Sequence, residues 1–308
     1  MTGDPISLEG RVAVVTGASA GLGAAYARAL SAAGARVVVT ARRAEPLEAL
    51  ARELPRTVAV AGDVADPAFG DRVADAAVSA FGRIDVLVNN AGGVRDRTLL
   101  KMSDAEFDEV VKAHVYGPFH LTRACAQVMR GQRSGTVINI GSDSGLCGAF
   151  GQTNYAAAKG AVLGLTLTWA RELERHGVTC NCVLPNARTA MTEDLPELLD
   201  GYRYGPPGER FPRALGEPEE VAPLIVLLAS ERWSRLNGRL LSLGGDKLSI
   251  WRAPEEHWSA FLQGGWSLAE LAGSLELALG ADAPPPPSAQ PNPAHPTETG
   301  SPHGTAHT

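Results

Sequence analysis

Between Arg11 and Leu243 the chain alternates short, nearly continuous apolar runs with longer stretches whose apolar residues recur every three to four positions. The short runs are rich in β-branched residues and predict strands at Arg11–Thr16, Arg36–Thr40, Thr57–Ala61, Ile84–Asn89, Gly135–Gly141, Val178–Leu184 and Arg239–Leu243. A strand that is apolar on both sides belongs in a parallel sheet covered on both faces. The longer stretches predict helices at Leu22–Ala33, Pro46–Glu53, Pro67–Phe81, Asp104–Met129, Asn154–Arg175 and Pro218–Leu228. Alternation of this kind calls for right-handed crossovers. The expected fold is therefore α/β: a single-domain, doubly wound parallel sheet of about seven strands with helices on both faces. In such a sheet the ligand crevice opens beyond the carboxyl ends of the strands, near the point where the strand order reverses.

Two stretches leave this rhythm. Residues 189–212 are rich in Pro, Gly, Glu and Tyr, lack periodicity and follow the sixth strand at the ligand end of the sheet. That placement predicts a substrate lid. Residues 246–279 carry Trp251, Trp258, Phe261 and Trp266 and predict a small helical C-terminal extension. Residues 280–308, with Pro284-Pro285-Pro286-Pro287, read as a disordered tail.

Composition narrows the function classes. At 308 residues the chain can bury a large core without metals or disulfides. A net charge of -6 provides no basic footprint for nucleic acid or for a membrane surface. Apolar runs such as Val221 to Ala229 are too short to span a bilayer. The opening residues lack a basic stretch followed by an apolar one, so a cytoplasmic protein is expected. Cys180 and Cys182 flank Asn181 in an apolar strand and read as reduced core thiols. His295, His303 and His307 are too scattered for a metal site, and none is expected.

The chemistry is carried by two constellations. The first is the turn Thr16-Gly17-Ala18-Ser19-Ala20-Gly21-Leu22-Gly23, which follows a strand and opens a helix. Glycines at Gly17, Gly21 and Gly23 let the backbone approach a pyrophosphate, and a helix N-terminus presents free amides to it. Asn89-Asn90-Ala91-Gly92 after the fourth strand strengthens a dinucleotide reading. The second strand ends Val39-Thr40-Ala41-Arg42-Arg43, with no acid before Glu45. An acid there would grip the ribose hydroxyls of NAD, whereas arginine pairs with a 2′-phosphate. NADP is therefore the expected cofactor, with NAD possible. Asp63, followed by Val64 after the third strand, is placed to meet the adenine.

The second constellation is Tyr155 with Lys159 four residues on, and Ser142 thirteen residues upstream. Residues at i and i+4 share a helix face, so the Lys159 ammonium can lie beneath the Tyr155 phenol. A nearby cation favours phenolate and makes the phenol a usable general acid and base. Ser142 can hydrogen-bond the same substrate oxygen.

With these motifs the chain, from about Leu8 to Gly245, resembles the classical short-chain dehydrogenase/reductases, a Rossmann-type family. The resemblance implies that Tyr155 exchanges the proton, Lys159 also binds the nicotinamide ribose, Ser142 orients the carbonyl, and Pro185 and Thr189 meet the nicotinamide end. It further implies a catalytic domain over 8–245, a ketone or secondary alcohol substrate, and a homodimer or homotetramer built on the long helices. The family commonly has an asparagine supporting a proton relay where Lys112-Ala113-His114-Val115-Tyr116-Gly117 stands, so His114 joins the expected catalytic residues. That stretch, together with Arg95-Asp96-Arg97 after the Asn-Ala-Gly-Gly turn, Gly148-Ala149-Phe150-Gly151-Gln152-Thr153-Asn154-Tyr155 and Pro185-Asn186-Ala187-Arg188, is similar to a subgroup. It holds the (3R)-hydroxyacyl-CoA dehydrogenase part of peroxisomal multifunctional enzymes and bacterial relatives, including hydroxysteroid dehydrogenases. The expected activity is NADP-dependent interconversion of a ketone and a secondary alcohol, on a 3-oxoacyl thioester or a bulky polyketide- or steroid-like ketone. A redox-neutral dehydratase or epimerase, and a non-catalytic nucleotide-binding protein, are the alternatives.

Overall fold

A computed structural model describes residues 6–188, 215–252, 255–256 and 258–279. The expected lid with Thr189 and the expected tail both lie entirely outside the described residues. The chain divides after Arg252 into a large unit and a small one.

The large unit is built on one eight-stranded sheet: β1 (Val12–Thr16), β2 (Arg36–Ala41), β3 (Thr57–Ala61), β4 (Val86–Asn89), β5 (Gly135–Ile140), β6 (Val178–Pro185), β7 (Leu240–Gly244) and β8 (Lys247–Trp251). Their spatial order is β3-β2-β1-β4-β5-β6-β7-β8. The chain steps outward from β1 to β3 and then returns to place β4 on the other side of β1, so the order reverses between β1 and β4. The first seven strands run parallel, and β8 pairs antiparallel with β7.

The helices are α1 (Gly21–Ala32), α2 (Ala44–Glu53), α3 (Phe69–Phe81), α4 (Asp104–Val111), α5 (Gly117–Gln132), α6 (Ser144–Cys147), α7 (Thr153–Glu174) and α8 (Pro218–Ala229), with α9 (Leu268–Leu279) in the small unit. Alternate strand residues enter opposite cores, as the two-residue period of a strand requires. Ala13, Val15, Val37 and Val39 pack with Tyr26 and Leu30 of α1 and with Ile225 and Leu228 of α8. Val14 and Val38 pack on the other face with Phe69 and Val73 of α3, Leu121 and Met129 of α5 and Trp169 of α7. Each such fully buried large side chain contributes roughly 1.5–3 kcal/mol.

Two departures from the sequence reading have physical causes. The single helix expected over Asp104–Met129 is interrupted by a π-helical turn at Lys112–Tyr116, in which the Gly117 amide reaches back to the Lys112 carbonyl. Pro118 explains the break: its nitrogen has no hydrogen to donate to the His114 carbonyl four residues earlier, and its ring crowds that position. The second departure is β8. The C-terminal extension was expected to be helical from residue 246, yet Lys247–Trp251 folds back on β7 through the Gly245-Asp246 turn. Its Leu248 and Ile250 side chains are exposed, as on a strand covered on one face only.

At the amino edge of the sheet, Asp85 is fully buried and accepts from the Val12 amide at 2.9 Å and from both Arg83 nitrogens at 2.8 and 2.7 Å. It pins β1 beside β4 at the end opposite the crevice. Asp85→Ala leaves a buried amide unpaired and is expected to lower unfolding stability by about 2–4 kcal/mol, read from the urea midpoint, with nucleotide affinity unchanged in the folded fraction.

Candidate active site

The crevice forms where β1 and β4 end side by side. Thr16 Oγ1 accepts from the Asn90 and Ala91 amides, both at 2.9 Å, and the Asn90 side chain donates back to the Thr16 carbonyl at 2.9 Å. This clasp fixes the glycine turn against Asn90-Ala91-Gly92. The approach is too close for side chains: a Cβ on Gly17 would lie 2.8 Å from Ala91 Cα, and one on Gly23 would overlap the Gly17 carbonyl. Gly17 also holds a left-handed φ of 67°. Beyond the contact the turn opens, since a Cβ on Gly21 would meet nothing within 4 Å. The N-terminus of α1 at Ala20 carries no side-chain cap and no acid in its first turn, with Leu22 inside that turn. Its free amides therefore offer an anion a ready site. These residues fit a dinucleotide.

At the neighbouring strand ends, Ala41 of β2 pairs with Ala61 of β3, which brings Arg42 and Arg43 close in the chain's course to Asp63. Arg42 and Arg43 are exposed, and Arg43 donates to Ser19 Oγ at 3.4 Å. The second basic group is thus tied to the glycine turn itself. Asp63 accepts from the Ala65 amide at 2.9 Å and so caps its own turn, while Val64 is buried against Gly117.

On the other side of the crevice, β5 and α7 assemble the reactive groups. Asn154 at the start of α7 donates to the Arg95 and Glu106 carbonyls at 2.9 and 3.1 Å, which anchors the helix to the segment following β4. One residue on, Tyr155 is partly buried, with Ser142 close enough to its phenol to pull the phenol's pKa down. Ser142 Oγ also accepts from the Ser144 amide and donates to Asp143, both at 3.2 Å. Lys159 is buried, lies 5.4 Å from the centre of the Tyr155 ring, and donates to the Ile140 carbonyl at 2.6 Å. Ser142, Tyr155, Lys159 and the buried His114 therefore converge. The imidazole meets the Tyr155 ring edge-on with centroids 5.3 Å apart. Pro185 ends β6.

The electrostatics differ from the expectation drawn from spacing. Burial pushes the Tyr155 phenol up to about 12; the Ser142 hydrogen bond pulls it down, and Asp143 and Asp96 add to the rise. Burial likewise lowers Lys159 to about 8. Loss of water around both groups outweighs their mutual effect in the chain by itself. His114 falls to about 3, chiefly by burial and then by the neighbouring Lys159 charge.

Sequence reasoning missed the polar rim of this site. Gln152 donates to Asp96 and accepts from Ser144, each at 3.2 Å, and Arg97 bridges to Gln152 across the backbone. Arg95-Asp96-Arg97 and Gln152 entered the sequence reading only as part of a subgroup resemblance, without a role at the site; Asp96 comes from a distant loop, and no spacing joins it to Ser142.

The short chain dehydrogenase family model matches residues 11–199. Hydroxyacyl-CoA dehydrogenase ChsB1 of Mycobacterium tuberculosis is 37% identical over 292 residues, which is 89% of this chain and 90% of that protein. The 3-oxoacyl-(acyl-carrier-protein) reductase FabG of Thermotoga maritima is 38% identical over 77% of this chain and 98% of its own length. A crystal structure of a short chain dehydrogenase from Mycobacterium avium superposes with a TM-score of 0.77 at 35% identity, covering 91% of this chain and 97% of that one. On its sheet order, its glycine turn and these likenesses, the chain belongs to the short-chain dehydrogenase family, whose members are oxidoreductases.

Proposed function

We propose that the protein is an NADP-dependent reductase that interconverts a ketone and a secondary alcohol, with Tyr155 as general acid and base. The observation that carries this reading is the convergence of Ser142, Tyr155 and Lys159 opposite the uncapped N-terminus of α1. When bound, the nicotinamide supplies or takes up the hydride. The rest falls to the protein. Ser142 and Tyr155 hold the substrate oxygen by hydrogen bonds that strengthen as it gains negative charge. In the reducing direction Tyr155 delivers its proton to that oxygen. A phenol held near 12 keeps its proton at neutral pH and is ready to act as the acid. Lys159, anchored on the Ile140 carbonyl, supplies a positive charge near the resulting phenolate.

The names of the relatives, a hydroxyacyl-CoA dehydrogenase and a 3-oxoacyl-(acyl-carrier-protein) reductase, favour a 3-oxoacyl thioester as substrate, with a bulky ketone as the second choice. Arg42 and Arg43 favour NADP through its 2′-phosphate. Exposed Phe107, Tyr116 and Phe119 around α4 and α5 favour assembly into a homo-oligomer.

The test is oxidation of NADPH and NADH with a 3-oxoacyl thioester, a steroid ketone and an aromatic polyketide-like ketone. NADPH consumption is expected, falling on the order of 10²–10⁴-fold in Tyr155→Phe. Conversion of substrate with no change in reduced-nicotinamide absorbance would identify redox-neutral chemistry instead. Arg42→Ala/Arg43→Ala is expected to weaken NADPH binding roughly 10- to 100-fold and leave NADH within a few-fold, as measured by nucleotide fluorescence titration.

Burying Lys159 also affects stability, with a definite sign. Its pKa is about 8 folded against an ordinary lysine's 10.5, so between these values the unfolded chain holds more protons and stability rises with pH. Below pH 8 the folded protein carries the full penalty. Lys159→Met is expected to raise unfolding stability at pH 7 by about 2 kcal/mol, the charge penalty less the lost Ile140 hydrogen bond, while turnover collapses. The advantage should fade as pH rises from about 8 to 10.5 in paired urea titrations.

A further inference from the structure

His114 is a charged-group candidate placed where no charge is wanted. It is 3% exposed, and its ring lies in the π-helical turn that Pro118 forces. The ring occupies the space that a side chain on Gly92 would fill: a Cβ there would overlap the imidazole. Its Nε2 is 2.9 Å from the Gly93 carbonyl and 3.2 Å from the Gly93 amide. Nε2 donates to the carbonyl in one neutral tautomer and accepts from the amide in the other, so either tautomer keeps a bond to Gly93. On its other side the ring stands at 87° to Tyr155.

We propose that the His114 imidazole is a positioning residue for Tyr155: seated over Gly92 and bonded to Gly93, it ties the loop after β4 to α7 and holds the phenol in place as an uncharged ring. This role rests on the reading of Tyr155 as the proton donor. The groups that bear on it are Lys159, whose charge disfavours a second cation, and Tyr155, which in turn faces Asp143 and Asp96. With its pKa held near 3 by burial and Lys159, the imidazole gives up no proton in the neutral range, and its contribution is geometric. It also seals Tyr155 on the side of Gly92, which is itself exposed, so removing the ring opens a path for water to the phenol.

The experiment compares the full chain with His114→Ala and His114→Phe. The first readout needs no substrate: tyrosinate absorbance immediately after a pH jump, taken as a difference against Tyr155→Phe in the same background. Hydration of the phenol in His114→Ala is expected to lower its titration midpoint by about one unit or more, whereas His114→Phe, which refills the space, stays close to the unaltered chain. The second readout uses NADPH and whichever ketone the unaltered chain reduces. His114→Ala should lose about 10- to 100-fold in kcat with KM within about threefold, and His114→Phe, which refills the space without the bond to Gly93, should recover part of it. An unchanged Tyr155 titration in His114→Ala overturns the proposal. So does an acid limb near pH 6.5 in the kcat profile that disappears in His114→Phe, because the imidazole would then be exchanging a proton. His114→Phe keeps the ring volume and carries the pH-profile test if the alanine variant does not fold. Absence of turnover in the unaltered chain would count against the reductase reading alone, leaving the tyrosinate titration to decide the role of His114.

Discussion

Both faces of the parallel part of the sheet are covered by helices, and that constraint organises the rest of the molecule. Parallel strands place all their carboxyl ends on one edge, and covered faces leave polar chemistry to be built along that edge. The return of the chain to set β4 beside β1 opens a crevice there, and the Thr16–Asn90 hydrogen bonds hold its two lips together. The glycines follow from this clasp rather than from flexibility: Gly17 and Gly23 lie where another backbone already fills the space of a side chain.

Behind the crevice a buried polar network braces the reactive helix. Asn89 donates to Thr122 and Asn139 at 2.9 and 2.8 Å, and Asn139 donates to Thr166 of α7 at 2.9 Å. Every link crosses between a strand and a helix, or between two strands, so α7 is held in register with β4 and β5. A buried network of this kind is favourable only when its members are satisfied. Its completeness lets α7 carry a buried Lys159 and a partly buried Tyr155 on one face. The candidate reactive residues work against the local medium: burial raises the phenol and lowers the amine, while Ser142 beside the phenol offsets part of its rise and the Ile140 carbonyl accepts from the Lys159 ammonium.

Much of this was legible in the linear chain because it depends on local periodicity. The parallel strands matched their apolar runs to within a residue or two, and the i, i+4 spacing of Tyr155 and Lys159 placed them on one face of α7. The π-helical turn escaped that reading because one extra residue in a helix barely disturbs an amphipathic pattern, although Pro118 marks the place. The strand β8 escaped it too: five residues with Leu248 and Ile250 facing solvent carry no burial signal, and only pairing with β7 makes them a strand.

Sequence by itself determined the alternation of elements, the glycine turn at Gly17–Gly23 between a strand and a helix, and the i, i+4 pairing of the candidate residues Tyr155 and Lys159, because each depends on residues near one another in the chain. Tertiary structure decided what those side chains experience. Tyr155 is shifted by the loss of water, by the adjacent Ser142 and Asp143 and by Asp96, which come from two segments distant from it in the chain. His114 acquires its neighbours Gly93 and Tyr155 only when the loop after β4 and α7 close around it. Solvent exclusion and contacts between distant segments set charge and orientation, and neither quantity exists until the chain has folded.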